Sequence, residues 1–479
     1  MCGARSPGYN KAMEALSPER ARYEIDDRFH DEAFAPEGSP RPHFRRVIEQ
    51  LDEHDLDLGG LASAADEAIR ERGAYFGPNH AFAVDPVPRV IAAGEWSALE
   101  AGLAQRVRAL NAFLGDVYGE RRIVSAGVIP ARVIESADHY ERWMAGVRVP
   151  GPWIAVAGLD VVRDGSGRFM VLEDNVRTPS GLAYAEVARD VVGGLLDRPA
   201  DDAFTTAYEA LGAALRAAAP PGVDDPFTVL LSDGASNSAW FEHRRIASRL
   251  GLPIVTFGEL DIRDGRVCTT IDGRRRQVDV IYRRTDVDCL HDPVGRPTHI
   301  AALLGPLRRG SVGIVNVPGT GVADDKLVHA YVEEMVRFYL GEEPLVRSVP
   351  TYDLAEPSTL AYVLGRLGEL VVKPRSDYGG RGVVIGPHAR PHDLDQVARM
   401  IAARPDRFIA QETIALSRHP TVCDGRLEPR HVDLRAFVLT SGEHVHVVPG
   451  GLTRVALSPG ALVVNSSQNG GGKDTWVVG

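Results

Sequence analysis

Two carboxylates and an amide recur at short, regular intervals in one part of the sequence: Asp160, then Glu173 and Asn175, with Arg177 two residues further on. The stretches 153–162 and 168–174 are apolar and β-like, and Asp164-Gly165-Ser166-Gly167 between them signals a hairpin, because glycine supplies the positive φ that tight turns require. With two or four loop residues, Asp160 falls opposite Val171, Glu173 lies diagonally on the same face, and Asn175 and Arg177 continue that face. Hard oxygen donors converging in this way suit magnesium, which commonly shares its shell with substrate phosphates. Arg177 would stabilise charge on a transferring phosphoryl group. An exposed polar sheet face is the plainer alternative, and a loop of odd length would break the register.

A second group could hold those phosphates. Lys373 leaves the apolar run Val371-Val372 and is followed by Asp377-Tyr378-Gly379-Gly380-Arg381-Gly382 and the strand-like Val383-Val384-Ile385. A glycine turn lets backbone N–H groups approach an anion closely. Neither a Walker loop nor a Gly-x-Gly-x-x-Gly fingerprint is present. Phe408-Ile409-Ala410-Gln411-Glu412 reads as an apolar strand ending in polar groups, and Asp433-Leu434-Arg435 sends its two charges to one face. Asp324-Asp325-Lys326 precedes a helix-like stretch, so Lys326 is either a phosphate contact or an ordinary first-turn residue. Lysine is otherwise almost avoided: of 54 basic residues only Lys11, Lys326, Lys373 and Lys473 are lysines. A compact ammonium is retained where a planar guanidinium cannot nestle among oxygens, with chance retention as the rival explanation.

These groups need a large scaffold, and 479 residues predict two or three packed units. Residues 1–70 are a polar lead-in with two short helices. Residues 71–222 begin with a long helix, on which Trp96, Leu99, Leu103, Val107, Leu110, Leu114 and Val117 make one buried stripe ending near Gly119, and contain the hairpin and helices at 182–197 and 201–218. Residues 223–321 read strand (228–231), helix (236–250), strand (253–257), with further strands at 278–282 and 312–317 around a helix at 297–309: a small βαβ domain. Residues 322–479 alternate a helix at 322–340, strands near 369–374 and 382–386, a helix at 392–403 and later strands. The fold class is therefore mixed, α/β followed by α+β.

A net charge of -11 opposes broad attraction to nucleic acid or anionic membranes. No apolar run approaches the ~18 residues of a membrane span. The four cysteines lie far apart without zinc or redox spacing, and the start lacks a signal-peptide core, which together predict a reduced cytoplasm. There is no Gly-x-Ser-x-Gly elbow and no zinc-helix histidine spacing, so no protein nucleophile is expected.

Taken in order, the pieces resemble the ATP-grasp superfamily with its last motif moved to the front. More closely, the chain resembles the circularly permuted type 2 ATP-grasp family, related in its site to glutathionylspermidine synthase. The marks are Asp85-Pro86-Val87-Pro88-Arg89, Gln105-Arg106 to Asn111, Leu172-Glu173-Asp174-Asn175-Val176-Arg177-Thr178-Pro179-Ser180-Gly181, Tyr282-Arg283-Arg284-Thr285-Asp286, Asp324-Asp325-Lys326, Gly450-Gly451-Leu452-Thr453-Arg454 and Gly470-Gly471-Gly472-Lys473-Asp474-Thr475-Trp476. Permutation is physically reasonable, because termini and loop tips tolerate cuts that leave core contacts unchanged.

The resemblance implies a circularly permuted ATP-grasp fold in which residues 71–222 and 322–479 form the grasp and 223–321 a pre-ATP-grasp-like domain. It implies ATP and magnesium as cofactors. Asp160, Glu173 and Asn175 would hold the metal, Lys326 and Lys373 the phosphates, Gly379, Gly380 and Gly382 the covering loop, and Gln411 and Glu412 the adenine and ribose. Arg435 and Arg177 would face the phosphates or an acyl-phosphate. The expected reaction is carboxylate–amine ligation on a small-molecule or peptide carboxylate with an amine co-substrate. Arg283, Arg284 and Asn316 are candidates for binding a carboxylate or peptide end, Arg283 and Arg284 being equally readable as surface charges. Arg454 and Lys473 receive no role. Phosphotransfer to water or a hydroxyl, and a non-catalytic nucleotide- or peptide-binding partner of α-helical or transglutaminase-like proteins, are the alternatives.

Overall fold

A computed structural model of the chain describes residues 23–77, 80–198, 201–285, 287, 289–292, 294–376, 382–461 and 470–479. Its centre is a mixed nine-stranded sheet. From one edge the order is Arg347–Ser348, Phe169–Asn175, Val156–Arg163, Arg426–Ser441, Leu452–Val455, Gly471–Val478 and Val84–Ala92, with Arg418–Cys423 and His444–Val447 pairing the two ends of the long strand Arg426–Ser441. Strands far apart in the sequence are thus neighbours, since Gly471–Val478 runs parallel to Val84–Ala92.

Alternation along these strands builds a core on each face. The long helix Ala93–Val117 packs its stripe of Trp96, Leu99, Leu103, Val107, Leu110, Leu114 and Val117 against Leu159, Val161, Leu434 and Val438, as its period predicts. Helices Leu182–Leu195 and Ala203–Ala217 cover the other face around Phe437, Leu439 and Leu452. The polar N-terminal stretch contributes Phe34, Phe44 and Leu61 to that core, and its Glu32 forms a fully buried bidentate pair with Arg89.

Beside it lies a parallel four-stranded sheet, ordered Gly313–Val315, Val280–Arg283, Thr228–Leu231 and Ile254–Val255. The single strand expected at 278–282 is in fact split. Arg274–Val278 belongs to a separate antiparallel meander with Leu260–Arg263 and Arg266–Ile271, and only Val280–Arg283 joins the parallel sheet. Asp264-Gly265 and Asp272-Gly273 make the meander's turns, with positive φ at all four residues.

The third sheet is antiparallel, in the order Thr351–Asp353, Phe408–Glu412, Leu370–Pro374 and Val384–Ile385. The edge strand Arg347–Ser348 of the main sheet runs directly into it. The helix expected over 322–340 is broken into 3-10 turns at Thr320–Val322 and Val328–Tyr331, a short α-helix Val332–Met335 and a π-helical end at Val336–Leu340. Its opening carboxylates are used elsewhere. Asp324 accepts the backbone N–H groups of Val176 and Arg177, and Asp325 those of Leu327 and the guanidinium of Arg375.

Candidate active site

The hairpin Val156–Asn175 reaches its geometry by an unexpected route. Its loop is odd: Arg163 pairs with Phe169, and Asp164 N–H donates to Arg168 O at 2.9 Å. That register alone would put Asp160 opposite Leu172 and turn Glu173 to the far face. A β-bulge at Leu172 adds one residue, so that Asp160 stands opposite Glu173 and Gly158 opposite Asn175. The expected pairing of Asp160 with Val171 is therefore corrected, because Val171 pairs with Val161, yet Asp160 and Glu173 do share a face.

On the other side of Asp160, the long strand places Arg435 directly across. Arg435 donates from Nε and Nη2 to the two Asp160 oxygens at 2.8 and 2.9 Å, and Arg454 Nη2 adds a contact at 3.0 Å while holding Asp433 through Nε and Nη2 at 2.8 and 2.6 Å. Gly158 makes room: a Cβ there would meet Pro179 at 2.8 Å and Arg435 at 3.3 Å. Burial works to raise the Asp160 pKa, but the charges and hydrogen bonds of the two arginines prevail and hold it at about 2. Asp433, with a smaller share of that positive charge, is shifted upward by its burial.

Opposite this row, the third sheet presents Lys373 and Gln411 on one face. Lys373, buried, places Nζ 3.3 Å from Glu173 Oε1. Burial tends to raise the Glu173 pKa, and the charges of Lys373 and Lys326 bring it below the ordinary value. Arg347–Ser348 pairs only as far as Val171, so the outer edge of the strand is open beyond it. There Leu172, Glu173, Asp174, Asp324, Lys326, His329 and Gln411 line one recess between the main sheet and the third sheet.

The remaining expected residues divide. Arg177 stands at the end of the hairpin, Nη1 3.1 Å from His139 Nε2 and Nε 3.9 Å from Asp324 Oδ2. Gly382 turns with φ of +67°, while Gly379 and Gly380 lie outside the described residues. Glu412 faces away from Gln411, and its carboxylate takes two hydrogen bonds from Arg366 at 3.0 and 3.2 Å. Arg283 and Arg284 are buried and not surface charges. Arg284 donates to Pro179 O at 2.7 Å and to Glu242 at 2.8 Å, and Glu242 in turn accepts the N–H groups of Gly181 and Ala183 at the start of helix Leu182–Leu195. Asn316 is saturated by backbone: Oδ1 accepts from Ala155 and Val156, both at 2.9 Å, and Nδ2 donates to Val156 O and Val176 O at 2.6 and 2.8 Å. In this structure Asn316 and Arg284 position the hairpin and the loop after it.

The two unassigned basic residues also find places. Arg454 shares Asp160 with Arg435. Lys473 is fully buried, its Nζ donating to Asp85 Oδ1, to Val87 O at 3.1 Å and to Pro420 O at 3.0 Å. Three donors on one compact atom meet three oxygens, a demand that protein oxygens make here in place of phosphate. Sequence reading missed His329 altogether. Its Nδ1 lies 2.7 Å from Asp174 Oδ2, and burial pushes its pKa down against the pull of that carboxylate. The available signal was spacing, for three residues after Lys326 is one turn.

Magnesium and ATP can be tested against these donors. Glu173 and Asn175 offer hard oxygens at the edge of the cleft, and a metal held by one or two carboxylates plus phosphates suits them. Asp160 already accepts three guanidinium contacts, which leaves it little beyond one lone pair on Oδ1. Among the described residues no group of three or more His, Cys, Asp or Glu side chains could hold a metal by itself. The residues present fit a metal that arrives with phosphate oxygens. Among the described residues, no helix is long and apolar enough to cross a membrane.

Comparison with known proteins agrees with this architecture. A protein of Frankia alni provisionally named glutamate–cysteine ligase 2-3 is 45% identical over 467 residues, covering 94% of this chain and 54% of its own length. The chain thus spans about half the length of that relative, and 53% of a similar protein of Frankia casuarinae. An uncharacterized Synechocystis protein is 41% identical over 470 residues and is covered over 97% of its length. Among solved structures, a glutathione synthetase-like effector of Globodera pallida superposes with a TM-score of 0.55 at 13% identity, covering 88% of this chain and 98% of that one, a likeness of fold alone. With residues 88–456 matched by the model of the family described as circularly permuted ATP-grasp type 2, the chain belongs to that family.

Proposed function

We propose that the chain is an ATP- and magnesium-dependent carboxylate–amine ligase. The observation that carries this reading is the row Glu173–Asp160–Arg435, with Lys373 3.3 Å from Glu173 and Lys326 lining one recess with Glu173 between two sheets. Acids for a metal and cations for phosphates meet there with no protein nucleophile among them. In the reaction, a substrate carboxylate oxygen attacks the γ-phosphorus of ATP, the bond to the β-bridging oxygen breaks, and ADP leaves an acyl-phosphate. An amine nitrogen then attacks the acyl carbon, losing a proton as inorganic phosphate departs. Magnesium, when bound by Glu173 and Asn175 with Asp160 beside them, supplies charge neutralisation for the phosphates. Lys373 and Lys326 hold phosphate oxygens, and Arg435, oriented by Asp160, presents its remaining N–H bonds to developing negative charge. The name glutamate–cysteine ligase belongs to proteins whose other half this chain does not match, and that amino-acid pair is not carried over.

The test is calorimetric titration of ATP with magnesium into the wild type and Glu173→Ala, followed by phosphate release over pooled peptides and polyamines. Magnesium-dependent binding weakened at least tenfold by the substitution, with release that requires both carboxylate and amine, supports ligation. Release without the amine favours phosphotransfer. Absence of nucleotide binding sinks the proposal.

A further inference from the structure

Helix Ala93–Val117 carries three polar residues, Gln105, Arg106 and Asn111, that the ligase reaction leaves unused, and each reaches off the helix to a strand bordering the site. Asn111 Oδ1 accepts from Ile154 N at 2.9 Å and its Nδ2 donates to Ile154 O at 3.2 Å, just before the strand Val156–Arg163 that bears Asp160. Gln105 donates to Glu343 O and accepts from Leu345 N, both at 2.9 Å, just ahead of the edge strand Arg347–Ser348. The fit is close, since a Cβ on Gly102 would meet Val346 at 2.8 Å.

Arg106 stands at the centre of this set. Its Nε and Nη2 donate to the two Asp174 oxygens at 2.6 and 2.7 Å, and its Nη1 donates to Ser348 Oγ at 2.9 Å. His329 Nδ1 completes the cluster, 2.7 Å from Asp174 Oδ2 and 3.0 Å from Arg106 Nη2. None of the three side chains is more than 3% exposed, so a two-pronged guanidinium–carboxylate pair is made here out of reach of water. Asp174 lies between Glu173 and Asn175, and it faces the helix only because of the bulge at Leu172. Without that extra residue Glu173 would stand opposite Leu159 and face the helix, and Asp174 would take its place on the side of the recess.

We propose that Arg106 is the positioning residue of the metal-binding strand. Its grip on Asp174 holds the bulged register, and that register turns Glu173 and Asn175 together toward the recess. Through His329, three residues after Lys326, the same guanidinium ties the strand to the segment that brings Lys326 to the recess. Arg106 thus acts through Asp174 and His329 and sets the metal ligands against a phosphate lysine. This rests on the ATP and magnesium reading of the site. Groups that orient metal ligands from behind cost about 10–100-fold in metal affinity when they are removed.

The experiment titrates ATP calorimetrically, in saturating magnesium and in EDTA, into the intact wild type, Glu173→Ala, Arg106→Met, the double variant Arg106→Met with Asp174→Leu, and Lys473→Met, each well below its own Tm. The double variant leaves no carboxylate buried alone and carries the comparison should Arg106→Met fail to fold. Lys473→Met controls for destabilisation, since it loosens a different flank of the sheet. The gain in ATP affinity given by magnesium is expected to fall about tenfold or more in both Arg106 variants, as it does in Glu173→Ala, while affinity in EDTA stays within about threefold of the wild type. Lys473→Met lowers Tm and keeps the full gain. A magnesium gain close to that of the wild type in the double variant overturns the proposal and leaves Arg106 a contact of the fold alone. Equal losses with and without magnesium overturn it as well, because the whole site is then disturbed. If the wild type binds no ATP, or binds it no better with magnesium, the reading of the site fails and the proposal with it. The two failures are told apart by Glu173→Ala, which differs from the wild type in the first case and matches it in the second.

Discussion

Asp160 and Glu173 face each other across adjacent strands, two carboxylates in direct opposition, each held by cations that approach from its other side: Arg435 and Arg454 on Asp160, Lys373 on Glu173. Such opposition is unfavourable by itself, and the cations on either side offset it.

Glu173→Gln separates stability from binding. The amide oxygen still accepts from Lys373 and the repulsion with Asp160 disappears, so unfolding free energy should change by less than about 1 kcal/mol. Magnesium-dependent ATP binding should fall at least tenfold. Paired urea titrations and calorimetry check this, and a variant that loses stability while keeping affinity contradicts it.

Acid should destabilise the protein progressively below about pH 4. The guanidiniums of Arg435 and Arg454 outweigh burial and hold the Asp160 carboxyl below the 3.8 of an ordinary aspartate, and Glu32 and Asp174 are likewise lowered by their buried arginine partners. A depressed native pKa gives stability that is complete above the unfolded value and is lost as pH falls toward the native one. Asp433, shifted upward, offsets a part. Urea midpoints should hold steady from pH 7 to 5 and drop between pH 4 and 2. A midpoint unchanged at pH 3 would show that these pairs do not govern acid stability.

Lys473 should not tolerate arginine. Its pocket is three oxygens around one nitrogen, and a planar guanidinium does not fit there. Lys473→Met leaves Asp85 buried without its counter-ion, held only by the N–H groups of Val87 and Val422, and should cost about 3–5 kcal/mol. Lys473→Arg should also destabilise, by overpacking, about 1–3 kcal/mol. Nucleotide affinity of the remaining folded protein should match the wild type in both, as measured by active-fraction titration.

Asn316→Ala distinguishes positioning from substrate contact. It leaves the N–H groups of Ala155 and Val156 and the carbonyl of Val176 unanswered, a loss of about 2–4 kcal/mol. Differential scanning calorimetry should show a lower Tm. A substrate-binding role would instead raise KM for the carboxylate at unchanged Tm.

What could be read beforehand followed local chemistry. The period of Trp96 to Val117 located its helix because a buried stripe needs no partner to be recognised. The hairpin was legible from Asp164 to Gly167, but its register was not: a bulge at Leu172 is decided by what the two strands must bring together, and nothing local at Leu172 announces it. The meander turns Asp264-Gly265 and Asp272-Gly273 carried their own signal, obscured because Arg274-Arg275-Arg276 lacks the apolar alternation of a strand. Charges were the least legible. Arg284 reads equally as a surface charge, and Arg454 and Lys473 have no role, until the fold supplies Glu242, Asp160 and Asp85 from distant parts of the chain. His329 was invisible for the same reason, its meaning residing in Asp174, 155 residues away.

The seam between Val84–Ala92 and Gly471–Val478 imposes a schedule on biosynthesis. A ribosome extrudes Asp85 388 residues before Lys473, so while the intervening residues are made this apolar strand has neither its parallel neighbour nor its counter-ion. Pro86 and Pro88 remove two amide donors from it during the wait, which makes it a poor template for strands of other nascent chains. Zipping of that flank of the sheet is therefore held back until Gly471–Val478 has emerged.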